Sequence, residues 1–171
     1  MALTLTIQQL AEATLCSRTQ IDQWLSRGHF KPRQEPERGK ARTFTLEDAI
    51  TLGTLAELVR LGIPPVIASM HVEHIADYME EENSVLVISQ GESKIPDPED
   101  SRRFKYVYNY DPRYPSLPAP LSRLVRPDEL PAIAADSHIY AMALVNVSAL
   151  KRRLMASFGP EATKAVDGGA A

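Results

Sequence analysis

Apolar residues fall at helical spacing from the start of the chain. Ile7, Leu10 and Ala11 share one face of a short helix. Thr6 precedes it and is suited to cap it, because its hydroxyl can accept a free backbone N–H of the first turn. After Leu15 and Cys16 the pattern restarts. Ser17 is a second N-cap, and Ile21, Trp24 and Leu25 form the buried side of a second short helix. Arg18, Thr19, Gln20, Gln23 and Arg27 are left pointing outward. A third, more apolar helix begins after Thr45, with Asp48 placed to complete a capping box. Ile50, Leu52, Leu55, Leu58, Val59 and Leu61 make its broad apolar side, and Gly62 stops it. Pro64 and Pro65 suit the first turn of a fourth helix, where a missing N–H costs little. Val66, Ile67, Met70, His74 and Ile75 continue that helix towards Glu82.

Beyond residue 83 the period changes from helical to strand-like. Val85 to Ile88 reads as a strand, Gly91 to Asp100 as a polar loop, and Arg103 to Tyr110 as an alternating strand with Phe104, Tyr106, Tyr108 and Tyr110 on one face. Asp111 to Pro120 carries four prolines and is expected to be irregular. A short helix follows Pro127, with Asp128 and Glu129 in its first turn. His138 to Val147 reads as a third, buried strand, and Ser148 as the cap of a closing helix, Ala149 to Phe158, ended by Gly159. The expected fold class is α+β: an N-terminal winged helix-turn-helix, then a small α+β domain of about three strands and a C-terminal helix. The expected domains are residues 1–82, a dimerisation or regulatory domain at 83–159, and a disordered tail at 160–171. The tyrosine stripe suits stacking on a flat ligand or on bases, and more often such a stripe packs a sheet on helices. Three strands are few for a sheet standing alone. Pairing with a second copy would help, so a homodimer is expected.

The segment between the second and third helices changes the picture. Gly28 gives the φ freedom that ends the second helix. His29 to Arg33 and Lys40 to Phe44 then flank a polar tip and suggest a two-stranded wing. It offers Lys31, Arg33, Arg38, Lys40 and Arg42 to phosphates, contacts that position a protein without reading sequence. Two short helices joined by a tight turn suit a helix-turn-helix whose second helix enters the major groove. The outward side chains fit that placement. Arg bonds guanine bidentately, Gln does the same for adenine, and a Thr methyl meets the thymine methyl. Ser17, Arg18, Thr19, Gln20, Gln23 and Arg27 join the wing cations as candidate DNA-binding residues.

Charge supports a polarity along the chain. The formal net charge is only −3. Residues 1–45 nevertheless hold seven Lys or Arg against four Asp or Glu, and residues 46–100 hold two against twelve. Local charge sets phosphate contacts, so a basic head on a slightly acidic chain is compatible with duplex binding. Lys151 to Arg153 add a basic cluster on the closing helix, suited to DNA flanks or to the acidic middle.

Residues 5 to about 75 resemble the N-terminal domain of the MerR family of winged-helix transcription regulators. Thr6-Ile7 and Leu10-Ala11 match the family's opening helix. Ser17, Trp24, Gly28 and Pro32 match the marks of its recognition helix and of the turn after it. Arg42-Thr43-Phe44-Thr45-Leu46-Glu47-Asp48 matches the end of its wing, and Leu61-Gly62-Ile63 the end of the next helix. The resemblance implies a dimeric, sequence-specific regulator on double-stranded DNA, with an unidentified small-molecule or protein effector. Two departures matter. Asp22 and Gln23-Trp24 stand where relatives often carry a second Arg and a Tyr pair, so base preference does not carry over. The second half also departs from the long dimer helix common in relatives. An excisionase-like architectural or recombination accessory protein, or a winged-helix protein-interaction module, remains an alternative.

Other chemistry is sparse. One cysteine, Cys16, excludes an internal disulfide framework and argues against thiolate metal sites. It is expected to be a small buried hydrophobe. His71 and His74, with Glu73 and Asp77, share a helix face but lack a further ligand at known spacing, so no metal and no cofactor is expected. Asp77 and Glu80 to Glu82 crowd a helix C-terminus, which is unfavourable to its dipole unless a basic partner packs nearby. No Gly-rich phosphate loop, nucleophile elbow or His-Glu-x-x-His pair is present, so an enzyme is not expected. No membrane-length apolar run and no signal sequence is found, and the expected location is cytoplasmic, in a bacterial nucleoid or phage-encoded in a bacterial host.

Overall fold

A computed structural model describes residues 4–35, 39, 41–73, 75–78, 84–97, 99, 103–111, 114–118 and 120–158. In chain order the elements begin with β1 (Leu5–Thr6), α1 (Ile7–Thr14), α2 (Arg18–Ser26), β2 (Thr43–Phe44), α3 (Leu46–Arg60) and α4 (Pro65–Val72), followed by a 3-10 turn at Ile75–Tyr78. Next come β3 (Val85–Pro96), β4 (Phe104–Tyr108), β5 (Tyr110–Asp111), β6 (Tyr114–Pro118), β7 (Leu121–Val125) and a second 3-10 turn at Pro127–Glu129. The chain ends in α5 (Leu130–Ala134), β8 (Ile139–Asn146) and α6 (Val147–Ser157). Two compact units form, one from residues 1–82 and 145–171, the other from 83–144. Among the described residues no helix is long and apolar enough to cross a membrane.

The first unit is built around α3. Ile50, Leu52, Leu55 and Leu58 are buried, and α1, α4, α6 and the first 3-10 turn pack on this helix. Burying each such side chain contributes about 1.5–3 kcal/mol. Thr54 is polar and fully buried, and it satisfies its hydroxyl on the Ile50 carbonyl at 2.8 Å. Thr45 and Asp48 form the expected capping box, as Thr6 and Gln9 do for α1. Leu61, expected on the apolar side, is exposed, because the helix ends at Arg60 and the chain turns outward at Gly62.

Three expectations change in this unit. The fourth helix stops at Val72 and gives way to the 3-10 turn, instead of running to Glu82. Two of the acids there, Glu73 and Asp77, are drawn to cations of the wing. His74 and Glu80 to Glu82 lie outside the described residues. The closing helix begins at Val147 and is capped by Asn146, whose Oδ1 accepts the Ala149 N–H at 2.8 Å, in place of a cap at Ser148. It packs on α3 and α1, so the structure groups it with the first unit. Finally, β2 pairs with β1, Phe44 opposite Leu5, and not with the His29–Arg33 segment. Pro32 withholds a ladder N–H from that segment. Gly159 and the expected tail at 160–171 lie outside the described residues.

The spine of the second unit is β3. Its first half pairs antiparallel with β7, Val85 opposite Val125, and its second half with β4, Glu92 opposite Tyr108. β8 also pairs with β3. Between the two halves lies Gly91. Its carbonyl accepts the Asn109 N–H, and the next residue, Glu92, donates its N–H to the His138 carbonyl, both at 2.9 Å. A Cβ on residue 91 would lie 2.0 Å from the His138 oxygen, so only glycine fits there. Val85, Val87, Val125 and Ile133 form the core, with Leu130 and Ile139 against it. The three expected strands correspond to β3, β4 and β8, and β5, β6 and β7 add to them. The Gly91–Asp100 loop is shortened, because β3 runs on to Pro96. The proline-rich stretch holds β6, which among the described residues pairs with β5 alone in a two-stranded ribbon.

Candidate nucleic-acid interface

The interface is built from the turn between α1 and α2 outward. Leu15 ends α1 in the left-handed conformation at φ 56°, and the Cys16 N–H returns to the Ala11 carbonyl at 3.0 Å. Arg60, from the end of α3, closes this turn. Its guanidinium donates to the Thr14 carbonyl at 2.9 Å and to the Leu15 carbonyl at 2.8 Å. Glu57 accepts from the same guanidinium at 2.8 Å, and it also meets Arg153 of α6 at 3.5 Å. Cys16 is buried beneath the turn, and burial pushes its thiol pKa up, as suits a packed side chain.

Ser17 caps α2, accepting the Gln20 N–H at 3.1 Å. Ile21 and Trp24 are buried beneath this helix. Ser17, Arg18, Thr19, Gln23 and Arg27 are exposed, and Gln20 is half-buried. Arg18 pairs loosely with Asp22 one turn on, at 3.7 Å. After Gly28, at φ 73°, the chain folds back, and the N–H groups of His29 and Phe30 both return to the Trp24 carbonyl. Phe30 is buried and stacks on Phe44 at a centroid distance of 6.2 Å. This contact joins the start of the wing to its end.

Beyond Phe30 the wing is tied down by carboxylates. Asp48, 2% exposed, accepts the Arg33 N–H at 2.9 Å. Lys31 lies 3.8 Å from Glu73, and the Arg33 guanidinium is bonded to Asp77, a contact that holds its charged form more firmly than usual. Arg42 is half-buried, and among the described residues neither Arg42 nor Arg27 has a carboxylate partner. Arg38 and Lys40 lie outside the described residues. Among the described residues no group of three or more His, Cys, Asp or Glu is placed to hold a metal ion.

The sequence model of the MerR helix-turn-helix family of regulatory proteins matches residues 5–82. These residues are a MerR-family DNA-binding domain. No curated protein matches the chain. At family level the MerR domain marks a DNA-binding transcription regulator. Its two helices, their caps and the buried Trp24 were readable from residue pattern. Three features of the MerR domain were not: the Arg60 clamp, the bond from Asp48 to Arg33, and the pairing of Glu73 and Asp77 with wing cations. The crowding of acids after Val72 was a signal for the last of these. A lone Arg closing an apolar helix gave no signal, because its partners are backbone carbonyls 45 and 46 residues away.

Proposed function

We propose that the chain is a sequence-specific transcription regulator that reads duplex DNA through α2. The observation that carries this reading is the two-sided character of α2. Ile21 and Trp24 are buried, while Arg18, Thr19 and Gln23 stand in solvent with Gln20 beside them. Those four side chains lie on the N-terminal part of the helix, the part that meets base edges in helix-turn-helix complexes. Arg27 and Arg42 are the readiest phosphate contacts, since among the described residues neither has to leave a carboxylate. Ser17, Lys31 and Arg33 contribute further contacts, and Arg38 and Lys40 belong to the same basic segment. Lys31 and Arg33 exchange exposed ion pairs for phosphates, which is feasible because such surface pairs contribute only about 0–1 kcal/mol. The protein acts as a homodimer on a palindromic site, in the cytoplasm, with a small molecule or protein as effector.

Selection from a random duplex pool followed by titration at two salt concentrations tests this. Gln23→Ala is expected to relax preference at one base pair, at a discrimination loss of about 1–3 kcal/mol. Arg42→Ala is expected to weaken all sequences alike and to reduce the salt slope by about 1. If the wild-type chain shows no affinity for any duplex at low salt, the reading fails.

A further inference from the structure

The sequence of β8, Ile-Tyr-Ala-Met-Ala-Leu-Val-Asn, contains no charge and no proline. Such a strand is expected inside a sheet and covered on its faces. Instead Tyr140, Met142 and Leu144 are 59%, 40% and 43% exposed. Phe104 and Tyr106 of β4 are exposed as well. The Tyr106 ring lies flat on His138 at 3.5 Å, and the Tyr108 and Tyr140 rings stack at 6.2 Å, so β4 and β8 turn these side chains to one face. Among the described residues β8 pairs with β3 and with no other strand. Natural edge strands are usually blunted by lysine, proline or a charge pointing inward, and β8 carries none of these. Glu92 and Lys94 of β3, opposite Tyr108 and Tyr106, share this face, and around them the exposed aromatic and aliphatic side chains of β4 and β8 mark an interaction surface.

We propose that β8 pairs antiparallel with β8 of a second copy of this chain, across a two-fold axis at Met142. The charge pattern selects this occupant. Across a two-fold, a strand meets its own sequence reversed, and like charges set opposite each other are destabilising. β7 would bring Arg123 onto the partner's Arg123, and β4 would double the charge of Lys105 across the join. β8 brings no charge. Centred on Met142, it sets Tyr140 against the partner's Leu144, an aromatic–aliphatic pair on each side of the axis. A second chain that is not a copy would need no such neutrality along the whole strand. The proposal rests on the homodimer reading above and names the surface that makes it. β8 continues directly into α6, so the join is covalently continuous with a helix of the DNA-binding unit.

Sedimentation equilibrium of the full chain at micromolar concentration tests this. Wild type and Met142→Leu are expected to be dimers. Met142→Lys places two ammonium groups on the axis and is expected to be a monomer with unchanged circular dichroism and unchanged Trp24 fluorescence. A monomeric wild type, whether the face is empty or taken by another protein, overturns the proposal, and so does a dimeric Met142→Lys. If that variant does not fold, Met142→Cys decides. Facing Cα atoms of an antiparallel pair lie about 4.5–5.5 Å apart, within disulfide reach. Mild oxidation is therefore expected to cross-link this variant, while buried Cys16 leaves the wild type uncross-linked. No cross-link overturns the pairing. Binding to a single half-site duplex separates this proposal from the DNA reading. Folded, monomeric Met142→Lys is expected to keep half-site affinity. A wild-type dimer without any duplex affinity would condemn the DNA reading and leave the interface standing.

Discussion

Asp48 accepts the backbone N–H of Arg33 through Oδ1 and that of Thr45 through Oδ2, each at 2.9 Å. One buried carboxylate therefore caps α3 and fixes the wing where it leaves the core. Hydrogen bonds to a charged acceptor contribute about 1.5–3 kcal/mol each, and an emptied site leaves two backbone donors stranded. Asp48→Ala is expected to destabilise the first unit by at least about 2 kcal/mol in urea unfolding followed through Trp24. Affinity for every duplex should fall together, since the wing loses its anchor. A variant with wild-type midpoint and wild-type affinity would show that the carboxylate holds nothing.

Arg60 plays the corresponding part at the helix-turn-helix turn. The two carbonyls it binds are left without helical partners where α1 ends, and Leu15 is held in a conformation that costs a non-glycine residue energy. Arg60→Met keeps the alkyl stem and removes the donors. The side chain is 38% exposed, which reduces its worth. A stability loss of about 1–2 kcal/mol is expected, with faster amide exchange at Cys16 and along the first turn of α2. Exchange that speeds up evenly over the whole unit, with no excess at the turn, would count against a local clamp.

The parts of this molecule that were legible in the sequence are those set by local rules. Thr6, Ser17 and Thr45 announce helix starts because a cap bonds within three residues of itself. Ile21, Trp24 and Leu55 announce a buried side through spacing alone. What could not be read depends on partners far along the chain. Nothing near Arg60 points to Thr14, nothing near Gly53 points to Leu150 of α6, and nothing in Thr43-Phe44 says that they pair with Leu5-Thr6. The β8 segment misled for a different reason. An uncharged apolar strand reads as buried whether its cover is supplied by its own chain or by another.

The closing helix belongs energetically to the first unit. Leu154 is fully buried, and Leu150 and Leu154 sit over Gly53 of α3. Leu154→Ala is expected to cost about 2–5 kcal/mol. The chain has a single tryptophan, Trp24, in α2, so its fluorescence reports on this unit. The Trp24 transition should shift by that amount although residue 154 is 130 positions away. An unmoved transition would place α6 outside the cooperative unit.

Gly91 makes a separate prediction for the second unit. With a Cβ only 2.0 Å from the His138 carbonyl oxygen, backbone must move, and the Glu92 to His138 bond is lost with it. Gly91→Ala is expected to destabilise that unit by about 2–4 kcal/mol, in the range of severe backbone clashes. Its amides in β3 should lose exchange protection while the Trp24 transition stays put. Retained protection at Glu92 would mean that the strands can part without cost.

His71, half-buried on α4, gives the first unit a pH dependence of known sign. Burial holds its pKa below the ordinary 6.5, because the charged ring is poorly solvated there. The unfolded chain therefore takes up the proton more readily than the folded one. The stability this imidazole contributes is fully present above pH 6.5 and is lost as pH falls from 6.5 through the lowered folded value. His71→Gln cannot titrate, so its melting temperature should fall less steeply than that of the wild type between pH 6.5 and the acid side. The His71 ring protons should titrate in the folded protein with a midpoint below 6.5. Equal slopes for the two proteins, or a midpoint at or above that value, would remove His71 from the account of acid sensitivity.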